Sequence, residues 1–562
     1  MASAQDRNTK RPRDSASAGA DSPSAKKTKP TKTYPADWPA DGEIDLAVHD
    51  LPHDSAETEW WYVNSHVQTA EGKELSFFLS YFRSVHKRDA TTGELSHTHA
   101  LTWAIVDPEK KRYFQDAIVD PKSPEILKKA IEEGKYHGDD RINRALMEVV
   151  EKGNVPLPDR VFPEQVTVDR KVGELKLDFG GVSTFEKDSQ GRYHVKASNP
   201  DGKCTIDVVL TPQKKPVRQG NNGVTRVGQH GDEMFYYYIP RNTAEGSVTL
   251  DGTSHQVTGH GWYDHEFGGT FNDKPKTEQE KKEAGPRRRM AWNWLSVQLD
   301  NGSEYTATNL HNIDTDKCED LFCVETLADE TRTEYLDIDF EGRDYYVSSQ
   351  TIAKYPTKYH LKIPAAQVDL DIVADFPFQE FRTLIAKPAF WEGRMTVTGT
   401  VRGQKVTGRG FVERNGWDDL SSLKGFFARV NEEVKKSIDT ILPHNPEAED
   451  VLGLIADDTL GHYTDGFSIE TFKKTVVGPL REIVDRGGKS WRSYACLVCC
   501  DAVGGDSEVI HNWLAMPEMM HVGSLIIDDI QDESEQRRGG PTLHKMIGQS
   551  LAINAGNAAY FI

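Results

Sequence analysis

Three short segments recur in the same order within residues 45–418, and nothing else in the chain restricts its fold so strongly. Val67-Gln-Thr-Ala-Glu-Gly-Lys-Glu74 returns as Val297-Gln-Leu-Asp-Asn-Gly-Ser-Glu304, each behind a pair of tryptophans. Glu245-Gly-Ser-Val-Thr-Leu-Asp-Gly-Thr253 returns as Glu392-Gly-Arg-Met-Thr-Val-Thr-Gly-Thr400, and Val257-Thr-Gly-His-Gly-Trp-Tyr-Asp264 as Val406-Thr-Gly-Arg-Gly-Phe-Val-Glu413. Repetition in a fixed order marks a duplicated unit, so both halves must suit one topology. The runs Trp60-Trp-Tyr-Val63 and Leu75-Ser-Phe-Phe-Leu-Ser-Tyr-Phe82, set between Gly and Asp turns, read as strands. Two antiparallel β units are expected, as barrels, because closure removes exposed strand edges.

Glu59-Trp60-Trp61-Tyr62 and Gly259-His-Gly-Trp262-Tyr-Asp264-His265-Glu266-Phe267-Gly268 mark the first half, and Trp391-Glu392-Gly393 and Gly408-Arg-Gly-Phe-Val-Glu413 the second. These residues resemble the two-barrel lipocalin-like family of carotenoid 1,2-hydratases, AttH proteins and fungal Diels–Alderases. The resemblance implies a hydrophobic ligand, often a polyene or isoprenoid derivative, held at the barrels. Adding water to a polyprene requires an acid that protonates a double bond. Asp264 is the best candidate, with His265 or Glu266 beside it and Trp262 in the same motif. Trp262, Asp264 and His265 equally suit a structural corner where strands turn. His86, His97 and His99 are not read as a metal site, because His97 and His99 are spaced for one face of an exposed strand.

The end of the chain carries different chemistry. Asp528, Asp529 and Asp532 follow an apolar run at i, i+1 and i+4, so on a helix Asp528 and Asp532 share one face and can share a cation. Mg²⁺ binds through one or two carboxylates plus substrate phosphates. Arg537 and Arg538 follow at once, with the side chain best shaped to grip phosphate. The segment resembles the DDxxD…RRG motif of the trans-isoprenyl diphosphate synthases. Asp485-Arg-Gly-Gly-Lys-Ser-Trp-Arg492 is similar to that family's GGKRxRP, with Ser490 and Ser493 where Arg and Pro are usual. Gly540-Pro-Thr-Leu-His544 and Ile553-Asn-Ala-Gly-Asn-Ala-Ala-Tyr-Phe561 continue the pattern, and the match covers roughly residues 425–562.

The resemblance implies Mg²⁺-dependent condensation of isopentenyl diphosphate with an allylic diphosphate. Asp528 and Asp532, with Asp529, would hold Mg²⁺ on the allylic diphosphate, and Arg537 would contact it. Lys489, Arg492, His521 and Arg538 would hold isopentenyl diphosphate. Taken alone, His521 on its mostly apolar helix suits a core histidine. A second diphosphate site is useful only in a condensation, which argues against the terpene cyclases that also carry DDxxD. Small Gly523 and Ser524 upstream of Asp528 point to a product of geranylgeranyl size or beyond, with Met519 or Met520 as a deeper floor. The chain ends at Ile562, before the family's second aspartate-rich motif, and reads as a fragment with half of the site. The helices present should then expose an apolar face and favour tight association, as a homodimer through the helical domain.

The expected division is a disordered basic tail at 1–40, β units at 41–275 and 285–418, a helical connector at 419–463 and an all-α isoprenyl diphosphate synthase segment at 464–562. The first 35 residues hold eight basic and three acidic residues, with Lys10-Arg11-Pro-Arg13 and Lys26-Lys27-Thr-Lys29 as a loose nuclear-import pattern. The whole chain of 562 residues carries −20, so an acidic body would repel nucleic acid. No apolar run approaches the roughly 20 residues of a membrane span, no signal peptide opens the chain, and six cysteines make no disulfide scaffold. Cys496, Cys499 and Cys500 read as buried core thiols on an apolar helix. A cytoplasmic protein is expected, with the nucleus as the alternative. The rival functional reading is a non-catalytic isoprenoid-binding protein with an inert helical tail.

Overall fold

The computed structural model describes residues 34–89, 91–134, 136, 139–225, 233–270, 289–384, 389–417, 423–455 and 466–562. The basic clusters of the tail and the boundary expected between 275 and 285 lie outside the described residues.

Two equivalent strand trios organise the β region. In the first, β1 (Ala56–Thr69) pairs antiparallel with β3 (Thr253–Thr270), and β2 (Met234–Leu250) forms a hairpin with β3. In the second, β4 (Met290–Leu299) pairs with β6 (Gln404–Asn415), and β5 (Ala389–Val401) forms a hairpin with β6. The recurring segments fall on these six strands and the turns at their ends, so the repetition in sequence is a repetition of topology. The first trio sits inside a 14-stranded sheet and the second inside a 10-stranded sheet. The terminal strands of the first sheet, Arg160–Val161 and Thr167–Lys171, do not pair with each other. Side chains draw the curled sheet together instead: Tyr81 meets Phe179 and Phe185 with centroids 5.0 and 5.4 Å apart. This is the lipocalin-like architecture expected, built from curled rather than fully hydrogen-bonded barrels.

Alternation along each strand sends successive side chains to opposite faces. On β1, Trp61, Val63 and Val67 enter the core of the first unit, while Tyr62 joins an aromatic cluster with Trp262, Trp294, Phe322 and Phe411 between the two units. Both faces of β1 are therefore buried over Trp61–Ser65, which is why its apolar residues run without alternation from Trp60 to Val63. Cross-unit hydrogen bonds fix the register, among them Asn64 Nδ2 to Ser296 Oγ at 3.2 Å and Gln219 Nε2 to Thr306 Oγ1 at 3.0 Å.

The helices of the C-terminal segment that carry its core and site are α1 (Leu423–Ile441), α2 (Gly478–Asp485), α3 (Trp491–Ala502), α4 (Ala515–Gln531) and α5 (Gln549–Ala558). The supposed connector helix α1 is a core element. Val430, Val434 and Ile438, four apart on one face, are buried with Leu480, Ile483, Met519, Val522 and Ile526. Gly504, in the left-handed region at φ 79°, follows α3. The cysteine expectation is corrected: α3 presents Ser493 and Leu497 to the core, leaving Cys496 and Cys500 half-buried and Cys499 exposed. His97 and His99 also depart from expectation. Their strand faces inward and His99 Nδ1 lies 3.6 Å from Asp120, a carboxylate at 2% exposure. Trp513, Val509, Met516 and Phe561 are exposed apolar side chains of this segment. The segment docks on the second β unit, where Tyr494 Oη donates to Gln350 O at 2.8 Å and Ser349 Oγ to Glu508 at 2.7 Å.

Candidate functional site

A cavity of about 260 Å³ opens between the two β units. Its walls are aromatic, with Trp60, Tyr62 and Phe78 from the first unit and Trp292, Trp294 and Phe322 from the second. Besides the partly buried Asp320, four carboxyl groups line it: Asp264 and Glu266 from β3, Glu392 from β5 and Glu413 from β6. Each is tethered. Tyr236 Oη donates to Asp264 Oδ2 at 2.6 Å and Trp262 Nε1 to Asp264 Oδ1 at 2.5 Å. Tyr62 Oη donates to Glu392 at 2.6 Å and Trp292 Nε1 to Glu413 at 3.0 Å, while Thr225 Oγ1 lies 3.5 Å from Glu266. Burial in aromatic surroundings disfavours the charged form. It raises Asp264 to about 8 against the hydrogen bonds from Tyr236 and Trp262, with Glu413 adding to the rise. Burial likewise lifts Glu413 to about 7 and drives Glu392 and Glu266 well above the usual range. At neutral pH the cavity thus holds carboxylic acids able to donate protons.

The lipocalin-like candidates separate by strand parity. Asp264 and Glu266 share the cavity face, whereas His265 points into the first unit's core. There its Nε2 lies 3.0 Å from Glu59 Oε1 and its Nδ1 3.0 Å from Tyr237 Oη. Trp262 is fully buried, stacks on Tyr238 at 4.7 Å and orients Asp264. The suspected corner is absent: all three residues lie in mid-strand. His53, Glu59 and His265 form a buried trio whose ligand atoms lie within 4.8 Å of one another. Arg83 Nη1 lies 3.1 Å from the second oxygen of Glu59. Burial would raise Glu59, but hydrogen bonds from His265 and His53 hold it at about 2. A guanidinium and two imidazoles already serve this carboxylate, so the trio is a closed polar core.

Sequence reading missed Glu392 and Glu413 as site residues, although Glu413 occupies the place of Asp264 in the third recurring segment. That alignment was the available signal. Of the residues that hold the acids, Tyr62 and Trp292 stand in tryptophan-rich segments already singled out, but nothing local paired them with the acids, and Tyr236 gave no signal.

The second site lies at the end of α4. Asp528 and Asp532 are both exposed there, one helical turn apart, with Asp532 N donating to Asp528 O at 2.8 Å. Two solvent-facing carboxylates in this arrangement fit a hard cation such as Mg²⁺. Asp529 turns inward, at 2% exposure, and binds Arg537 Nε at 2.9 Å. Its place is to position that arginine. Arg538 is held by Glu518 at 2.8 Å and by Ile483 O at 3.2 Å. Arg492 Nη1 lies 3.2 Å from His521 Nε2, and His521 is lowered by burial and by that cation. Lys489 is exposed on the loop after α2, where Asn431 Oδ1 accepts from Gly488 N at 3.1 Å. A Cβ on Gly488 would lie 3.2 Å from Arg538 Nη2, so this loop and the arginine pair abut. Arg486, which sequence reading passed over, fixes the arginine turn by donating to Arg537 O and Pro541 O at 2.9 and 2.7 Å.

The chain-length residues meet a different fate. A Cβ on Gly523 would lie 2.6 Å from Gly556 O on α5, so the space expected at Gly523 is filled by a helix. Ser524 is exposed, with Oγ donating to His521 O at 2.7 Å, while Met520 is exposed and Met519 buried.

The fold and the acid-lined cavity define a lipocalin-like protein, and the chain belongs to the AttH-like family, whose family model matches residues 39–417. Residues 473–562 match the polyprenyl synthetase family. Over 74 residues the chain is 42% identical to geranylgeranyl pyrophosphate synthase 12, chloroplastic, of Arabidopsis thaliana, a span of 13% of this chain and 21% of that one. Over 103 residues it is 37% identical to a geranylgeranyl pyrophosphate synthase of Neocamarosporium betae, covering 16% and 27%. The chain thus spans about a fifth to a quarter of the length of these relatives. Among solved structures, an AttH protein of Nitrosomonas europaea aligns at 21% identity and TM-score 0.49, over 67% of this chain and 98% of that one. Kievitone hydratase of Nectria haematococca aligns at 16% and 0.44, over 66% and 93%. Among the described residues no helix is long and apolar enough to cross a membrane.

Proposed function

We propose that this is a protein of isoprenoid biosynthesis with two working sites. In the cavity between the β units it binds a hydrophobic isoprenoid and transfers a proton to it from Asp264. The observation that carries this reading is the cluster of carboxyl groups inside aromatic walls, with Asp264, Glu266 and Glu392 buried and Glu413 half-buried. A proton donor works best with a pKa near the operating pH, and burial has brought Asp264 there. Aromatic faces then stabilise the cation that protonating a double bond creates.

The helical segment provides the diphosphate-binding face of a prenyltransferase that condenses isopentenyl diphosphate with an allylic diphosphate to a geranylgeranyl-type product. Asp528 and Asp532 would hold Mg²⁺, which supplies charge neutralisation of the departing diphosphate. Arg537, positioned by Asp529, contacts the allylic diphosphate, and Lys489, Arg492, His521 and Arg538 receive isopentenyl diphosphate. Homodimerisation through the exposed apolar surface and a cytoplasmic location complete this reading. The test is Mg²⁺-dependent condensation of labelled isopentenyl diphosphate with farnesyl diphosphate. Product that disappears in Asp528→Ala supports the transferase. No product from folded protein refutes it for this chain, leaving an isoprenoid-binding β module as the working part.

A further inference from the structure

The two sites have opposite charge character. The described residues lining the cavity include Asp264, Glu266, Glu392 and Glu413 but no lysine, arginine or histidine. The phosphate-suited cations Lys489, Arg492, Arg537 and Arg538 all belong to the helical segment. A diphosphate placed among the cavity carboxyls would find no cation among the described lining residues, and every carboxyl that ionises would repel it. The tethers point the same way. Tyr62, Tyr236, Trp262 and Trp292 already donate to these carboxyls, leaving the acids' own O–H groups to meet neutral acceptors or double bonds.

We propose that the cavity accepts only an isoprenoid that has already lost its diphosphate, so that a diphosphate-releasing reaction stands between the chemistry of the helical segment and that of the cavity. This rests on the reading of the cavity as an isoprenoid site. In the intervening step the allylic carbon–oxygen bond breaks and its electron pair leaves with the diphosphate. The carbon bonds either to water, giving an alcohol and a released proton, or to a nucleophilic acceptor, giving a prenylated product. The cavity receives that neutral product.

Calorimetric titration of the full chain carrying Asp528→Ala and Asp532→Ala, with EDTA present, silences the helical site. Geranylgeraniol and geranylgeranyl diphosphate are then compared at pH 6 and pH 8. The expected result is binding of the alcohol, with the diphosphate weaker by about tenfold or more at pH 8, a gap of about 1.4 kcal/mol. The gap should narrow at pH 6 and in Asp264→Asn/Glu413→Gln. Equal or tighter binding of the diphosphate overturns the proposal while leaving the cavity an isoprenoid site. Binding of neither ligand overturns both.

Discussion

Replacing Asp264 by Asn tests the acid at the centre of the cavity without changing its shape. Asn keeps an oxygen to accept from Trp262 Nε1, its amide N–H₂ faces Tyr236 Oη, which can turn to accept, and it cannot ionise. In the folded chain Asp264 titrates at about 8, against roughly 3.9 for an unperturbed aspartate. Between these values the folded state keeps a proton that the unfolded state has released. Stability therefore falls as pH rises, by about 1.4 kcal/mol per pH unit for this one group. From pH 5 to pH 8 the ceiling is about 4 kcal/mol, and relaxation of the site brings it to a smaller figure, on the order of 2 kcal/mol. Asp264→Asn lacks this slope. The other cavity acids titrate in both proteins, so the difference between them reports residue 264 together with its charge coupling to Glu266, Glu392 and Glu413. The assay is urea denaturation followed by tryptophan fluorescence at pH 5, 6, 7 and 8. The variant should gain on the parent steadily with pH. A difference constant to within about 0.5 kcal/mol would show that Asp264 is ionised at neutral pH, and the proton-donor argument would fall.

Other outcomes follow from single contacts. Tyr62→Phe removes the donor that joins the first unit to Glu392 of the second and should cost about 1–2 kcal/mol in the same denaturation assay. Gly523→Ala puts a Cβ 2.6 Å from Gly556 O, so α4 and α5 must part; a loss of about 1–3 kcal/mol from the helical transition is expected by circular dichroism. Glu518→Ala leaves the Arg538 guanidinium, at 14% exposure, without its carboxylate and should destabilise the helices by about 3 kcal/mol. Asp528→Ala should abolish Mg²⁺ binding in calorimetry while sparing the melting temperature, whereas Asp529→Ala, which leaves Arg537 only its longer contact to Asp528 at 3.4 Å, should lower the melting temperature. Equal effects of these two substitutions would contradict the separate roles assigned to them.

The β architecture was legible because duplication leaves a trace that survives divergence: segments aligned by residue type occupy matching strands. The first aspartate motif was legible because a helix fixes which carboxylates share a face. What escaped reading depended on contacts distant in sequence. Gly523 looked like an open floor because nothing local announces that α5 crosses there. The thiols of α3 looked buried because the helix is apolar on more sides than the core covers. His265 stands beside Asp264 in the chain and serves a different interior, since neighbours on a strand face opposite ways.

By itself the sequence determined the duplicated β module, the helical segment after it and the face shared by Asp528 and Asp532, because these follow from periodicity and spacing along the chain. Only the tertiary structure decided that Asp264 and Glu413 meet in one cavity although 149 positions separate them. It also decided that Asp529 turns inward to hold Arg537 rather than outward to the cation face. The physical reason is burial. Whether a carboxyl is a solvated charge, an ion-pair partner or a neutral acid depends on what surrounds it, and those surroundings form when distant strands and helices pack together.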